Sequence, residues 1–423
     1  MSSARKGILV PNGRIAGSET LDEYMARGGY EALRRIAESL TPPEVVQEIV
    51  ASGLQGRGGA GFPTGKKWEL AVTNHASPRY VVANGGEDEP GSVKDRLVME
   101  NHPHLVLEGL LLSAFAVGAE TAYLYVNHTL DKAIKRLEDA LREARERSFV
   151  GTAILGTSVN VEVNICRAPT EYVAGEDTAA LEVIEGKKPL PRQKPPYPTT
   201  AGLFGQPTVV NNVETVANIP AIIRNGAQWY RQYGTKESPG TMLFSLGEEV
   251  VQPGVYELPL GTPLRFLIYE CGGGPRWNSE LKAILPGGPS SAFLLPNQLE
   301  TPLDHQSMRA AGSALGCGVV RLIPQGVCMV EEVLRIAEFF SRESCDQCPA
   351  CRMETNTLVA LLQRVQKGQG DKVLLDQFSK VLEFNRGKGF CALINMPGPP
   401  ILSAIRLFRT DFDSHLTTGT CPR

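Results

Sequence analysis

Apolar residues recur at helical spacing in some stretches of the chain and run together as strands in others. The clearest helix opens at Pro42-Pro43-Glu44, where Thr41 can cap it and Val45, Val46, Ile49 and Val50 follow at helical spacing until Gly53 stops it. A shorter helical stretch, 30–40, precedes it, and a second short helix is expected to carry Lys66, Lys67 and Trp68 beyond a glycine-rich loop. Residues 79–83 predict a buried strand that delivers the turn Asn84-Gly85-Gly86-Glu87-Asp88-Glu89-Pro90-Gly91. A strongly apolar helix over 104–117, a strand over 122–126, an amphipathic helix over 130–145 and a strand over 159–165 come next. An irregular loop over 186–207, dense in proline and lysine, leads to a helix predicted over 211–225. This alternation argues an α/β sheet domain. From about 240 to 295 short β-type runs (242–246, 254–257, 283–285) broken by Gly and Pro suggest a small separate β-rich domain. After 327 the chain reads as four helices, 328–340, 350–366, 374–384 and 400–412, a small bundle. The expected division is therefore 1–40, 41–238, 239–326 and 327–423.

Composition narrows the class. The 423 residues are 42% apolar and 21% charged, as in a globular protein with a large core. A formal charge of −3 gives no reason to expect nucleic acid or an anionic membrane as partner. No apolar run approaches the roughly 20 residues that span a bilayer. The start, Met1-Ser-Ser-Ala-Arg-Lys, has basic residues without an apolar core behind them, unlike a secretory signal. The expected location is cytoplasmic, as a free protein or as the peripheral arm of a membrane-associated complex.

Nine cysteines add chemistry. Cys345, Cys348 and Cys351 fall within seven residues, and Cys391 follows 40 residues later. In a reducing compartment such a cluster points to metal before disulfides. Thiolates suit iron–sulfur clusters or zinc, but zinc sites usually arrive as two pairs, and this pattern is three plus one. That favours a 4Fe–4S cube with Cys391 at its fourth corner. Cys328 is a rival for that corner, but its apolar helical surroundings read as structural, as do the positions of Cys166, Cys271, Cys317 and Cys421.

Gly56-x-Gly58-x-x-Gly61 matches a dinucleotide-binding pattern, yet a helix precedes it and no acidic residue follows about 20 positions on, so the Rossmann reading fails. What remains is five glycines in ten residues, whose backbone N–H groups can approach a phosphate or a flat ring, with Lys66 and Lys67 just behind. The plain alternative is a flexible surface loop. Glu87-Asp88-Glu89 follows a strand end, where open α/β sheets bind ligands, and Gly175-Glu176-Asp177-Thr178 also follows a strand-like segment. Each alone reads as a solvated turn. Near a phosphate site both would have to sit on ligand hydroxyls.

Together, GRGGAGFPTGKKW (56–68), NGGEDEPGSVKDR (84–96), GEDTAALEVIEG (175–186), KPPYP (194–198), GQPTVVNNVETVANIP (205–220) and ESCDQCPACR (343–352) resemble the flavoprotein subunit of NADH:quinone oxidoreductase and of related NAD-linked hydrogenases and formate dehydrogenases. The resemblance implies an FMN-binding α/β domain of non-Rossmann type, a ubiquitin-like β-grasp domain and a C-terminal four-helix bundle holding a 4Fe–4S cluster. It implies FMN against Gly56, Arg57, Gly58, Gly59 and Lys67, with Asn84 and Glu87 near its ribityl chain and Tyr172, Gly175 and Glu176 also among the cofactor-binding residues. Asn211, Asn212 and Thr215 would lie at its phosphate. NADH would meet Phe62 and Tyr197 with its rings, and Lys67, Glu89, Asp177 and Lys194 with its polar edge. Cys345, Cys348, Cys351 and Cys391 would hold the cluster.

The function so implied is hydride transfer from NADH to FMN, then release of single electrons through the cluster to partner subunits, among them a thioredoxin-like 2Fe–2S protein. A rival reading keeps the cluster or flavin but has lost NADH. A zinc-stabilised interaction module would leave the flavin-type motifs unexplained.

Overall fold

A computed structural model describes residues 7–10, 13–15 and 17–421. The opening residues on which the signal-peptide expectation rests lie outside them. The chain forms two compact units. The first comprises the described residues of Met1–Pro189, Lys194–Ser245 and Gly254–Thr262; the second comprises Leu190–Gln193, Leu246–Pro253 and those of Pro263–Arg423.

In the first unit α1 (Leu21–Ala26) and α2 (Glu31–Glu38) lead into α3 (Pro42–Ser52). The α3 helix starts and stops as its sequence dictates. Thr41 and Glu44 form a reciprocal capping box, prolines occupy its first turn, and Gly53 ends it at φ 70°. The glycine loop connects α3 to α4 (Thr64–Val72), which is followed by β1 (Tyr80–Gly85), α5 (Lys94–Asn101), α6 (Pro103–Val117), β2 (Thr121–Asn127), α7 (Asp131–Glu146) and β3 (Glu162–Ala168). Then come α8 (Asp177–Ile184), the one-turn α9 (Pro198–Ala201), β4 (Thr208–Asn212), α10 (Val213–Asn225) and the one-turn α11 (Ala227–Tyr230), with β5 (Thr241–Leu246) and β6 (Gly254–Pro259) side by side.

Four parallel strands make the central sheet, in the order β3-β2-β1-β4. Alternate residues feed two layers. Val81 and Ala83 join the large core with α6 and α10, whereas Val82 and Val210 join a smaller cluster with Ala180 and Leu181 of α8. Within the large core Glu108 of α6 is buried but satisfied, accepting from the Tyr30 and Leu33 amides and the Tyr24 hydroxyl. The strand order matters most for function. The chain steps from β1 outward to β2 and β3, then returns to the other side of β1 as β4. The ends of β1 and β4 therefore flank the point where winding reverses, where ligands bind in open α/β sheets.

The predicted helix over 211–225 is corrected at its start. Asn211 and Asn212 end strand β4, and Asn212 then caps α10 directly, accepting from the Glu214 amide at 3.0 Å. With no residue between strand and helix, a five-residue strand leaves little periodic trace.

The second unit contains β7 (Leu281–Leu285) paired antiparallel with β8 (Val319–Pro324), the short α12 (His305–Ala310), and α13 (Met329–Arg342), α14 (Pro349–Gln366), α15 (Leu374–Asn385), α16 (Gly398–Leu407) and α17 (Arg409–Thr418). The single helix predicted over 400–412 is two. Phe408 leaves helical geometry at φ −122°, ψ 39°, with its ring edge-on to Phe293 at 6.4 Å between centroids. Tertiary packing here overrides a continuous apolar pattern. Among the described residues, no helix is long and apolar enough to cross a membrane.

Candidate functional site

Two chemically different sites emerge, one in each unit. In the first, β1 and β4 pair so that Ala83 faces Asn211 and Asn84 faces Asn212. The side chains at this edge hold one another. Asn84 donates to the Gly175 carbonyl at 2.9 Å and accepts from the Gly86 amide at 3.0 Å, tying the turn after β1 to the turn before α8. A Cβ on Gly175 would sit 2.8 Å from the Gly86 carbonyl oxygen, so only glycine allows this approach. A Cβ on Gly58 would stand 3.2 Å from that of Asn212, which puts the glycine loop against the end of β4. Gly59 and Gly61 have φ of 114° and 64°, conformations that L side chains rarely adopt. The loop is thus bare backbone laid over a strand end.

Several predicted contacts turn inward. The Arg57 guanidinium is fully buried and donates to the Thr241 and Pro239 carbonyls and the Tyr230 hydroxyl, so Arg57 offers the crevice only its backbone. Thr215 is buried and accepts the Arg57 amide at 2.8 Å, fixing the loop from beneath. Asn211 accepts from the Trp68 indole at 3.1 Å. The Glu87 carboxylate accepts from the Asp95 and Arg96 amides at the start of α5. Burial, with Asp95 beside it, raises Glu87 to about 6. These residues position the crevice.

Others remain available. Lys67 donates to the Val210 carbonyl at 2.7 Å, and burial holds its amine below the usual lysine range. Phe62 and Tyr197 are exposed rings, at 46% and 59%. Lys194 bridges Glu176 at 2.6 Å and Asp177 at 2.5 Å. Glu176 also caps α8 through the Thr178 and Ala179 amides. Burial and the neighbouring Asp177 raise Glu176 to about 7; burial also opposes ionisation of Asp177, but its hydrogen bond with Glu176 and the Lys194 charge bring it below the ordinary value. Glu89 is half-buried and hydrogen-bonded to Tyr172; burial raises it to about 7.

In the second unit Cys345, Cys348 and Cys351 lie on the loop and first turn of α14. The chain from α15 returns so that the Phe390 amide donates to Cys348 Sγ at 3.3 Å, which brings the adjacent Cys391 to the same loop. Ser344 Oγ stands 3.6 Å from Cys351 Sγ. Among the described residues these four cysteines supply no trio with sulfurs mutually within 4.8 Å.

Family models match the segments that carry both sites. Residues 49–221 match the Nuo51 FMN-binding domain, 246–293 the SLBB domain, and 331–415 the NADH-ubiquinone oxidoreductase-F iron-sulfur binding region. The F 2 subunit of NADH-quinone oxidoreductase from Rhizobium meliloti (strain 1021) is 43% identical over 415 residues, covering 98% of this chain and 99% of its own. The F subunit of the same enzyme from Escherichia coli (strain K12) is 39% identical, with coverage of 95% and 93%. This chain belongs to the F-subunit family of NADH-quinone oxidoreductase. An NAD+-reducing [NiFe]-hydrogenase in its H2-reduced state shares the fold at a TM-score of 0.84 and 32% identity, over 95% of this chain and 67% of that one.

As a member of that family the chain is an NADH dehydrogenase flavoprotein, the NADH-input electron-transfer component of a multi-subunit oxidoreductase. Its cofactors are FMN and a 4Fe–4S cluster and its substrate is NADH. The residues present fit both groups: a glycine-lined crevice at the winding reversal with a half-buried amine and exposed rings, and a loop of three thiols to which the chain carrying a fourth returns.

Sequence reasoning missed the charge beneath the crevice. Lys94 is 1% exposed and ion-paired with Asp95 at 2.8 Å and Glu214 at 2.9 Å; its ammonium also reaches Asn212 Oδ1 at 3.4 Å. Asn212 in turn donates to Asp95 at 2.7 Å. A lysine at the start of a charged helix, just after an acidic turn, looks like surface in the sequence. Only the fold reveals it as a buried triad that fixes the end of β4.

Proposed function

We propose that the strand-end crevice binds FMN and NADH face to face, and that Cys345, Cys348, Cys351 and Cys391 ligate the 4Fe–4S cluster. When bound, FMN accepts the hydride of NADH and the cluster takes up electrons one at a time. The chain supplies orientation. Gly56, Gly58 and Gly59 carry no side chains and so let the flat ring approach the loop, which the Gly56 amide braces by donating to the Phe62 carbonyl at 2.9 Å. Lys67 places a cation beside the ring, and the amides of Asn84 and Asn212 face the ribityl and phosphate end. Phe62 and Tyr197 flank the nicotinamide ring, while Glu89, Asp177 and Lys194 take its polar edge. Arg57, Thr215, Asn211 and Glu87 hold these parts in place without needing to touch either ligand. We assign the flavin part to 41–238, the ubiquitin-like part to 239–326 and the cluster part to 327–423. The electron acceptor is a partner protein of the thioredoxin-like 2Fe–2S type, in the peripheral arm of a complex.

The observation that carries this reading is the position of the glycine loop, against the end of β4 at the winding reversal, with Lys67 beside it. Anaerobically purified protein containing flavin and iron should bleach at flavin wavelengths on NADH addition and reduce ferricyanide. Flavin that stays oxidised under excess NADH would instead favour a chain that has kept its cofactors and lost the nucleotide.

A further inference from the structure

A third constellation in the second unit lies outside both sites. Cys328, His415 and Cys421 bring one ligand atom each to within 4.8 Å of one another, and Cys328 Sγ stands 3.1 Å from His415 Nε2. The amino-acid sequence gives no hint of it, since the three residues are scattered and the two cysteines read as structural.

Three features make this a built site. First, His415 Nδ1 lies 3.1 Å from the Gln366 carbonyl, which can only accept, so Nδ1 carries the proton and Nε2 presents its lone pair to the sulfurs. Second, Cys328 is the N-cap residue of the fourteen-residue α13, so the start of a long helix fixes where its sulfur sits. Third, Gly419, at φ 71°, ends α17 and turns the chain back, and Ser414 Oγ donates to the Thr420 carbonyl at 2.8 Å, which delivers Cys421 to the histidine. Cys328 and His415 are buried and Cys421 is half-buried. Asp411 lies alongside, its Oδ2 already held by Lys282 at 2.6 Å and the Met329 amide at 3.0 Å.

We propose that Cys328, His415 and Cys421 bind a zinc ion, separate from the iron–sulfur cluster, that staples the C-terminal turn to the start of α13. Two thiolates and an imidazole are a soft, borderline donor set that suits zinc, with water or a carboxylate oxygen completing four-coordination. Binding releases the thiol protons and involves no electron transfer.

The test uses the full-length holoprotein, purified anaerobically, equilibrated with zinc sulfate and passed over a chelating column. Elemental analysis should find about one zinc per chain in addition to the cluster's iron, and zinc-edge X-ray absorption should show sulfur at about 2.3 Å and nitrogen at about 2.0 Å. Cys421→Ser, at an accessible position near the chain end, should lose the zinc while keeping iron, flavin and NADH–ferricyanide activity. His415→Gln should do the same. Zinc retained by both variants would overturn the proposal, as would a Cys328–Cys421 disulfide in the anaerobic protein, detected by non-reducing peptide mapping.

Discussion

The strand-end crevice and the cysteine loop are built on opposite principles. The crevice gathers the glycine loop, the end of β1, the turn before α8 and the end of β4, segments spread over more than 150 residues of chain, and much of what it offers is backbone. The cysteine loop gathers three thiols within seven residues and needs the fold only to return Cys391, through the Phe390 amide on Cys348. One site therefore depends on packing around it, the other on four side chains. Substitutions should separate the two.

The largest expected effect is at the cysteine loop. Cys391→Ser should abolish the intact cluster, with iron falling from about four per chain to a small fraction and the reduced-cluster EPR signal lost. Flavin content and its bleaching by NADH should survive, because Cys391 belongs to the other compact unit. Coordinate loss of flavin would show that the sites are not separable.

Next comes Lys94→Met, which tests the crevice through its support. Removing the ammonium leaves Asp95 and Glu214 buried without their cation, at a cost of about 3–5 kcal/mol. Denaturant unfolding should record that loss, and FMN retention should fall with it, since Asn212 loses one of its neighbours. Iron content should be unchanged. A variant as stable as its parent would mean that the triad does not hold the β4 end.

This contrast also explains what was legible in the sequence. The three-plus-one cysteine pattern could be read because ligand identity and spacing lie in the residues themselves. The α3 helix could be read because Thr41, Glu44, the prolines and Gly53 are local signals. The crevice was legible only in outline. Its motifs marked where the chain approaches a ligand, but not that Arg57 and Thr215 turn inward or that Asn212 closes a strand. Burial decides those roles, and burial is set by the strand order β3-β2-β1-β4, which no local pattern encodes. The break at Phe408 and the trio of Cys328, His415 and Cys421 were hidden for the same reason.

A smaller effect is expected from Lys194→Ala. It frees Glu176 and Asp177 from their shared cation and leaves net negative charge where the dinucleotide should bind. The KM for NADH should rise roughly tenfold, equivalent to about 1.4 kcal/mol. Flavin content should hold, because Asn84 still ties the two turns together. Unchanged KM with reduced flavin would move Lys194 from the nucleotide to the cofactor.

The smallest effect, and the one that reads the crevice's electrostatics most directly, concerns Glu89. Its pKa is raised from 4.5 to about 7 by burial, against the hydrogen bond with Tyr172. A carboxyl raised in the folded state favours the protonated form, so its contribution to stability is present below about 4.5 and is lost as pH rises through about 7. Glu89→Gln should therefore flatten part of the stability decline between about pH 4.5 and pH 7, a decline it shares with the other carboxyls raised by burial, Glu87, Glu176 and Glu354 among them. Binding should run in the opposite sense. If the ionised carboxylate accepts a hydrogen bond from the nucleotide, the KM for NADH falls a few-fold between about pH 6 and pH 8 in the parent and stays level in Glu89→Gln. Parallel profiles in the two proteins would remove Glu89 from the nucleotide edge.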